Sequence, residues 1–117
     1  MDELILKTIK ESRGVSEDDT GFDSELLIFI NSIIIKLNSR LLNIKDKIDT
    51  ELIIDDSTKW SDYIIDDRYA IQNLGTIKSY ISLKIKTIFD PSPNQTITNA
   101  IEKELLDLEW TLINFDK

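Results

Sequence analysis

The chain predicts an all-α fold, a small four-helix bundle-like domain with an irregular arm between its second and third helices. Two observations carry that prediction. Leucine and isoleucine recur at three- and four-residue intervals through long segments of the chain, the spacing of one helix face. The segments begin and end on residues that start and stop helices. At 117 residues the chain has the length of one domain with one core, here taken as residues 1–117.

The first helix is short. Asp2 is its expected cap, Leu4, Ile5, Thr8 and Ile9 form its stripe, and Leu6 falls off it. Gly14 stands where a helix end favours a left-handed residue. Val15 to Gly21 reads as an acidic loop containing Glu17, Asp18 and Asp19.

The second helix is expected from an Asp23 cap to about Leu42, with Phe22 stapled onto Leu27. Leu26, Ile30, Ile33, Leu37 and Leu41 follow core spacing. Ile28, Phe29, Ile34, Ile35 and Leu42 are apolar too, and the polar stripe is only Ser32, Lys36, Ser39 and Asn43. An ordinary surface helix has a narrower apolar face. This helix is therefore expected either at the centre of the domain or against another subunit.

Residues 44–67 are the least regular. Glu51 to Asp56 reads as a short strand or an extended arm. Its Leu52, Ile53 and Ile54 lack an obvious intrachain partner and are candidates for pairing with a neighbour. Thr58 to Ile65 reads as one helical turn capped by Ser61. The third long helix is expected from Tyr69, or from an Asn73 cap, to Phe89, on a stripe of Leu74, Ile77, Ile81, Ile85 and Ile88. Gly75 weakens its start by roughly 1 kcal/mol relative to Ala, and Asp90-Pro91 stops it. The last helix is expected from a Ser92 cap, with Pro93 in the first turn and Gln95 in a capping box. Its stripe is Ile97, Ile101, Leu105, Leu108 and Leu112, widened by Leu106, Trp110 and Ile113.

Composition excludes several functions. The net charge is −8, from 22 acids against 14 bases. That argues against a nucleic-acid binder and against docking on an anionic membrane, since both need clustered cations. Without Cys or His there is no thiol nucleophile, no thiolate metal site and no imidazole base. Met1-Asp2-Glu3 does not look like a signal peptide. The longest apolar run, Leu26 to Ile30, is far short of the ~20 residues that span a bilayer. A cytoplasmic protein is the expectation.

The acid pairs Asp18-Asp19, Asp55-Asp56 and Asp66-Asp67 are the candidate metal ligands, and none has calcium-loop spacing. We expect solvated loop acids, no cofactor and no enzyme activity. Lys78, Lys84 and Lys86, with Tyr80, suggest solvated or intersubunit charge pairing. Lys36, Arg40, Lys45 and Lys47 suit a helix C-terminus or a neighbour's acidic loop. Trp60 and Trp110 read first as core anchors. In the irregular segment Trp60 is nearly as good an interface anchor, and Trp60→Ala is expected to impair assembly more than folding.

Several motifs together resemble the head-tail connector (adaptor) proteins of long-tailed bacteriophages. Thr58, Trp60, Ser61, Asp62 and Tyr63 resemble that family's Trp-containing turn. Ile77 to Lys84 resemble the start of its long helix, and Ile88, Phe89, Asp90 and Pro91 its end. Ala100 to Glu104 with Leu108, Glu109 and Trp110 resemble its last helix. Phe22-Asp23 fits the approach to the second helix. Gly75 and Asp66-Asp67-Arg68 depart from the pattern.

The resemblance implies a virion protein at the head-tail interface, assembled in the host cytoplasm. It implies a ring of about a dozen copies under the portal, which extends the DNA channel and offers a surface to the stopper or tail. DNA would pass without specific binding, and negative charge around a channel suits that passage. No catalytic residues carry over. The candidate interface or family-motif residues are Phe22, Ile28, Ile35, Ile53, Ile54, Trp60, Asp62, Tyr80, Lys84, Phe89, Asp90, Pro91 and Trp110. The alternative reading is a small acidic helical protein that mimics DNA or inhibits a basic host protein.

Overall fold

The computed structural model describes residues 2–114. Among them are five α-helices: α1 (Ile5–Ser12), α2 (Asp23–Arg40), the single turn α3 (Trp60–Tyr63), α4 (Asp67–Phe89) and α5 (Gln95–Ile113). A 3₁₀ turn, Leu42–Ile44, follows α2. The all-α expectation holds, with two isolated β-bridges and no strand among the described residues. The side chain of Leu42 lies outside what the structure describes.

α4 is the hub, packing against α1, α2 and α5. Ile77, Ile81 and Ile85 of the expected stripe are buried. Leu74 is half-buried, and Ile88, one end of the stripe, is 42% exposed. Tyr69, Ala70, Asn73 and Tyr80 widen the buried face. The central position that one reading gave to α2 therefore belongs to α4. The buried apolar side chains form one continuous cluster drawn from α1 through α5.

α1 ends as expected. Gly14 has φ +71°, and its N–H donates to Glu11 O at 3.0 Å while Val15 N–H donates to Lys10 O at 2.9 Å. That paired bonding satisfies two terminal carbonyls. The position before α1 is Leu4, not Asp2, and Leu6, off the expected stripe, is buried.

Other helix ends sit elsewhere than expected. Asp23 is the first residue of α2 rather than its cap. Its carboxylate instead lies 2.9 Å from the buried Lys10 ammonium, which also donates to the Glu17 and Asp19 carbonyls. The acidic loop is thus wound around one cation. Ser61 does not cap α3; Asp62 Oδ2 accepts from Lys59 N–H at 2.8 Å. α4 starts at Asp67 because Asp66 Oδ1 accepts from Tyr69 N–H at 2.8 Å. Asn73, the alternative cap, is buried within the helix. α5 is capped by Asn94, which accepts from the Thr96 and Ile97 amides. Ser92 accepts from Asn94 N–H instead.

The segment between α2 and α4 has intrachain partners. Ile48 bridges Ile64 and Lys59 bridges Leu4. Around Ile54, the Asn31 amide stands in for a partner strand. Ile54 N–H donates to Asn31 Oδ1 at 2.8 Å, and Asn31 Nδ2 donates to Ile54 O at 2.9 Å. Ile44, Ile48, Ile54 and Trp60 then fall into the core.

Candidate assembly surfaces

Two kinds of surface stand out: apolar side chains left in solvent, and a groove whose rim is cationic. α2 carries both, on adjacent faces that meet at Ser32 and Lys36. Its core side, Leu26, Ile30, Ile33, Ile34 and Leu37, is buried. Ile28 and Ile35, two turns apart on another side, are 67% and 66% exposed. The arm lies beside them because Asn31 clamps Ile54 there, and Leu52 and Ile53 line the same shallow depression as Ile28 and Ile35. Ile53 is 80% exposed. The result is a continuous apolar patch, edged by Glu51 and Asp55, both exposed.

The groove lies between α2 and α4. Its floor is Phe29, Ile33 and Ile88, and its rim includes Lys36, Arg40 and Lys84. Arg40 is held by Glu109 of α5, with Nη1 within 2.7 Å of both carboxylate oxygens. The Tyr80 hydroxyl donates to the same carboxylate at 2.5 Å. Burial of Glu109 makes these bonds matter, since an unpaired buried carboxylate is costly. The bond and charge of Glu109 raise Arg40 above its ordinary pKa. Burial, then Glu109, pushes the Tyr80 phenol well above the usual tyrosine range. Lys84 Nζ stands 5.8 Å over the Tyr80 ring, within reach of a cation–π attraction. Lys36 makes no ion pair among the described residues and is exposed.

The named candidates divide by burial. Phe22, Ile28, Ile35, Ile53, Asp62, Asp90, Pro91 and Trp110 are exposed; Lys84 and Phe89 are half-buried. Phe22 does not disappear under a staple but stays 65% exposed beside a depression lined by Val15, Leu26 and Phe89. Phe89 packs edge-on to Phe29, centroids 5.2 Å apart, with the Arg13 guanidinium 4.9 Å over its ring. Three candidates lie inside the subunit. Ile54 is 2%, Trp60 0% and Tyr80 2% exposed, so none offers its side chain to a neighbour in this conformation. Trp60 Nε1–H is used internally, donating to Thr8 Oγ1 at 2.9 Å.

Trp110 departs the other way. It reads as a core anchor yet is 68% exposed, next to Leu106 at 63%. The two are one turn apart on the outer side of α5, away from the buried Leu105 and Leu112. Ile71, 86% exposed on α4, and Ile65, 58% exposed before it, carried no signal beyond their distance from the core stripe.

The acid pairs serve local backbone. Asp55 Oδ1 accepts from the amide and hydroxyl of Ser57 and from the Thr58 hydroxyl, and those bonds, the Ser57 amide first, lower its pKa. The Tyr69 amide, assisted by Lys47, lowers that of Asp66 against an opposing desolvation. No group of three or more His, Cys, Asp or Glu side chains that could hold a metal ion occurs among the described residues. No helix among them is long and apolar enough to cross a membrane.

The family model of phage connector proteins matches residues 5–115. That span is nearly the whole chain, and the chain belongs to this family. No curated protein and no solved structure matches it.

Proposed function

We propose that this phage connector protein is a ring-forming head-tail connector, a virion component that acts by assembly rather than by catalysis. In this reading the whole chain is one connector domain. It docks beneath the portal, lengthens the DNA channel and offers its far surface to the stopper or tail. The observation that carries the proposal is family membership over residues 5–115. The exposed apolar residues support it. Ile28, Ile35, Ile53, Leu106 and Trp110 are each more than 60% exposed and fall into two groups, one on α2 and the arm beside it and one on α5. A ring built head-to-tail needs two different contact surfaces per subunit.

Charge supports the channel role. At −8 per subunit, a ring carries a field that repels phosphates rather than gripping them. DNA then slides through without a specific site.

Negative-stain microscopy of the purified protein, alone and mixed with portal, tests the proposal. A ring of about a dozen copies on the portal is the expected result. A compact single subunit in both samples would overturn it. Tight one-to-one binding to a basic protein, with no ring, would favour an acidic inhibitor instead.

A further inference from the structure

The groove between α2 and α4 carries an inference that rests on the self-assembly reading and deepens it. We propose that this groove receives the arm of a second copy of the chain, with Ile53 on the groove floor and the arm's acids against Lys36 and Lys84.

The groove is the wrong charge for the molecule that bears it. In a chain with 22 acids and 14 bases, Lys36, Arg40 and Lys84 line one depression. Glu109 neutralises Arg40. Neither lysine has a carboxylate within ion-pair distance among the described residues. The floor is apolar, and Ile88 in it is 42% exposed. The fitting occupant is therefore a segment with an apolar projection and anionic flanks.

The arm has that chemistry. Ile53 is 80% exposed. From Asp49 to Asp56 the chain carries Asp49, Glu51, Asp55 and Asp56 and no base. Other exposed segments fit less well. The outer side of α5 mixes Lys103 with its acids, and the loop at residues 15–21 is drawn inward by Lys10.

The arm cannot fill its own groove. Asn31 fastens Ile54 beside Ile28 and Ile35, whereas Phe29, Ile33, Lys84 and Ile88 line only the groove; Ser32 and Lys36 stand on the ridge between the two depressions. The arm is seated on the neighbouring face of α2, across the Ser32–Lys36 ridge from the groove, so the contact runs from copy to copy. Such a heterologous contact closes into a ring when its rotation allows. Opposite charges at the rim set register and partner choice more than raw affinity.

Charge reversal tests this. Lys36→Glu with Lys84→Glu reverses the groove, and Glu51→Lys with Asp56→Lys reverses the arm. Asp55 and Arg40 stay, because both are used within the subunit. Sedimentation and microscopy with portal read assembly, and circular dichroism checks the fold. Each reversal alone is expected to weaken self-association at least about ten-fold, and the two together to restore most of it. Wild-type assembly by either single reversal, or no recovery in the combination, would overturn the groove contact while leaving the ring intact as a reading. Absence of any wild-type oligomer would overturn both. Should the reversed chains misfold, the lack of native cysteine allows a second route. Oxidation of the Ile53→Cys, Ile88→Cys chain on portal should give a ladder of linked copies; unlinked chains would refute the contact.

Discussion

Trp60 and Thr8 share a hydrogen bond of 2.9 Å across the core, and the Trp60 ring has no solvent exposure. Removing a fully buried indole costs about 3–5 kcal/mol, a large share of the stability of a small domain. Trp60→Ala should therefore lower the urea midpoint sharply, and any loss of assembly should follow from unfolding. This reverses the expectation from sequence that assembly would suffer first. Trp110→Ala should do the opposite. At 68% exposure its truncation should change stability by no more than about 0.5 kcal/mol, while assembly on the portal weakens. Equal stability losses in the two variants would refute the division. The sequence favoured Trp60 over Trp110 as the interface anchor, the reverse of their burial, because periodicity places a side chain only relative to its own helix. It does not say how far a neighbouring element reaches. α5 packs on α4 with Leu105 and Leu112 buried, and among the described residues Trp110 is left uncovered.

At the scale of the helix, the stripes of apolar residues were readable and the exact ends were not. Ile77, Ile81 and Ile85 point inward as their spacing demands. The chain stops at Asp90-Pro91 as proline chemistry requires, α4 ending at Phe89. The caps were harder because several residues of equal competence stand side by side. Ser92 and Asn94 both suit a helix start, and the structure uses Asn94, with Pro93 outside the helix. Asn94→Ala should cost about 1 kcal/mol, since it frees the amides of Thr96 and Ile97. Ser92→Ala should cost less, because it removes only the bond from the Asn94 amide. Thermal melts of the two variants decide, and a larger loss at Ser92 would contradict the assignment. The arm failed to declare itself for a related reason. Its partner is the Asn31 side chain, 23 residues away, and no backbone pattern announces a side chain that imitates a strand. The exposed half of the candidate site, Ile28, Ile35 and Ile53, was legible as surplus apolar surface. The cationic groove was not, because Lys36 and Lys84 come together only when α2 crosses α4.

For the molecule as a whole, two carboxylates tie stability to pH. Asp66 starts α4 and Asp55 closes the turn that leads the arm towards α3. Backbone amides, from Tyr69 and Ser57 respectively, hold both below the ordinary carboxyl value, which is about 3.9. The folded chain therefore binds fewer protons than the unfolded chain in the window just below that value. Stability rises with pH across such a window. The contribution is complete above about pH 4 and is lost as pH falls through the folded-state values. Acid also removes negative charge from a chain of net −8, which eases self-repulsion on the way down from neutrality. Above about pH 4 the contribution of the two carboxylates is constant and stability should change little; below it they lose their charge and stability should fall steeply. Urea midpoints taken from pH 7 to pH 3 should show that shape. Asp66→Asn with Asp55→Asn separates the causes, because asparagine accepts the same capping bonds but does not titrate. The doubly substituted chain should match the wild type near pH 7 and lose less below pH 4. An unchanged acid slope would mean that these two turns do not set the limit.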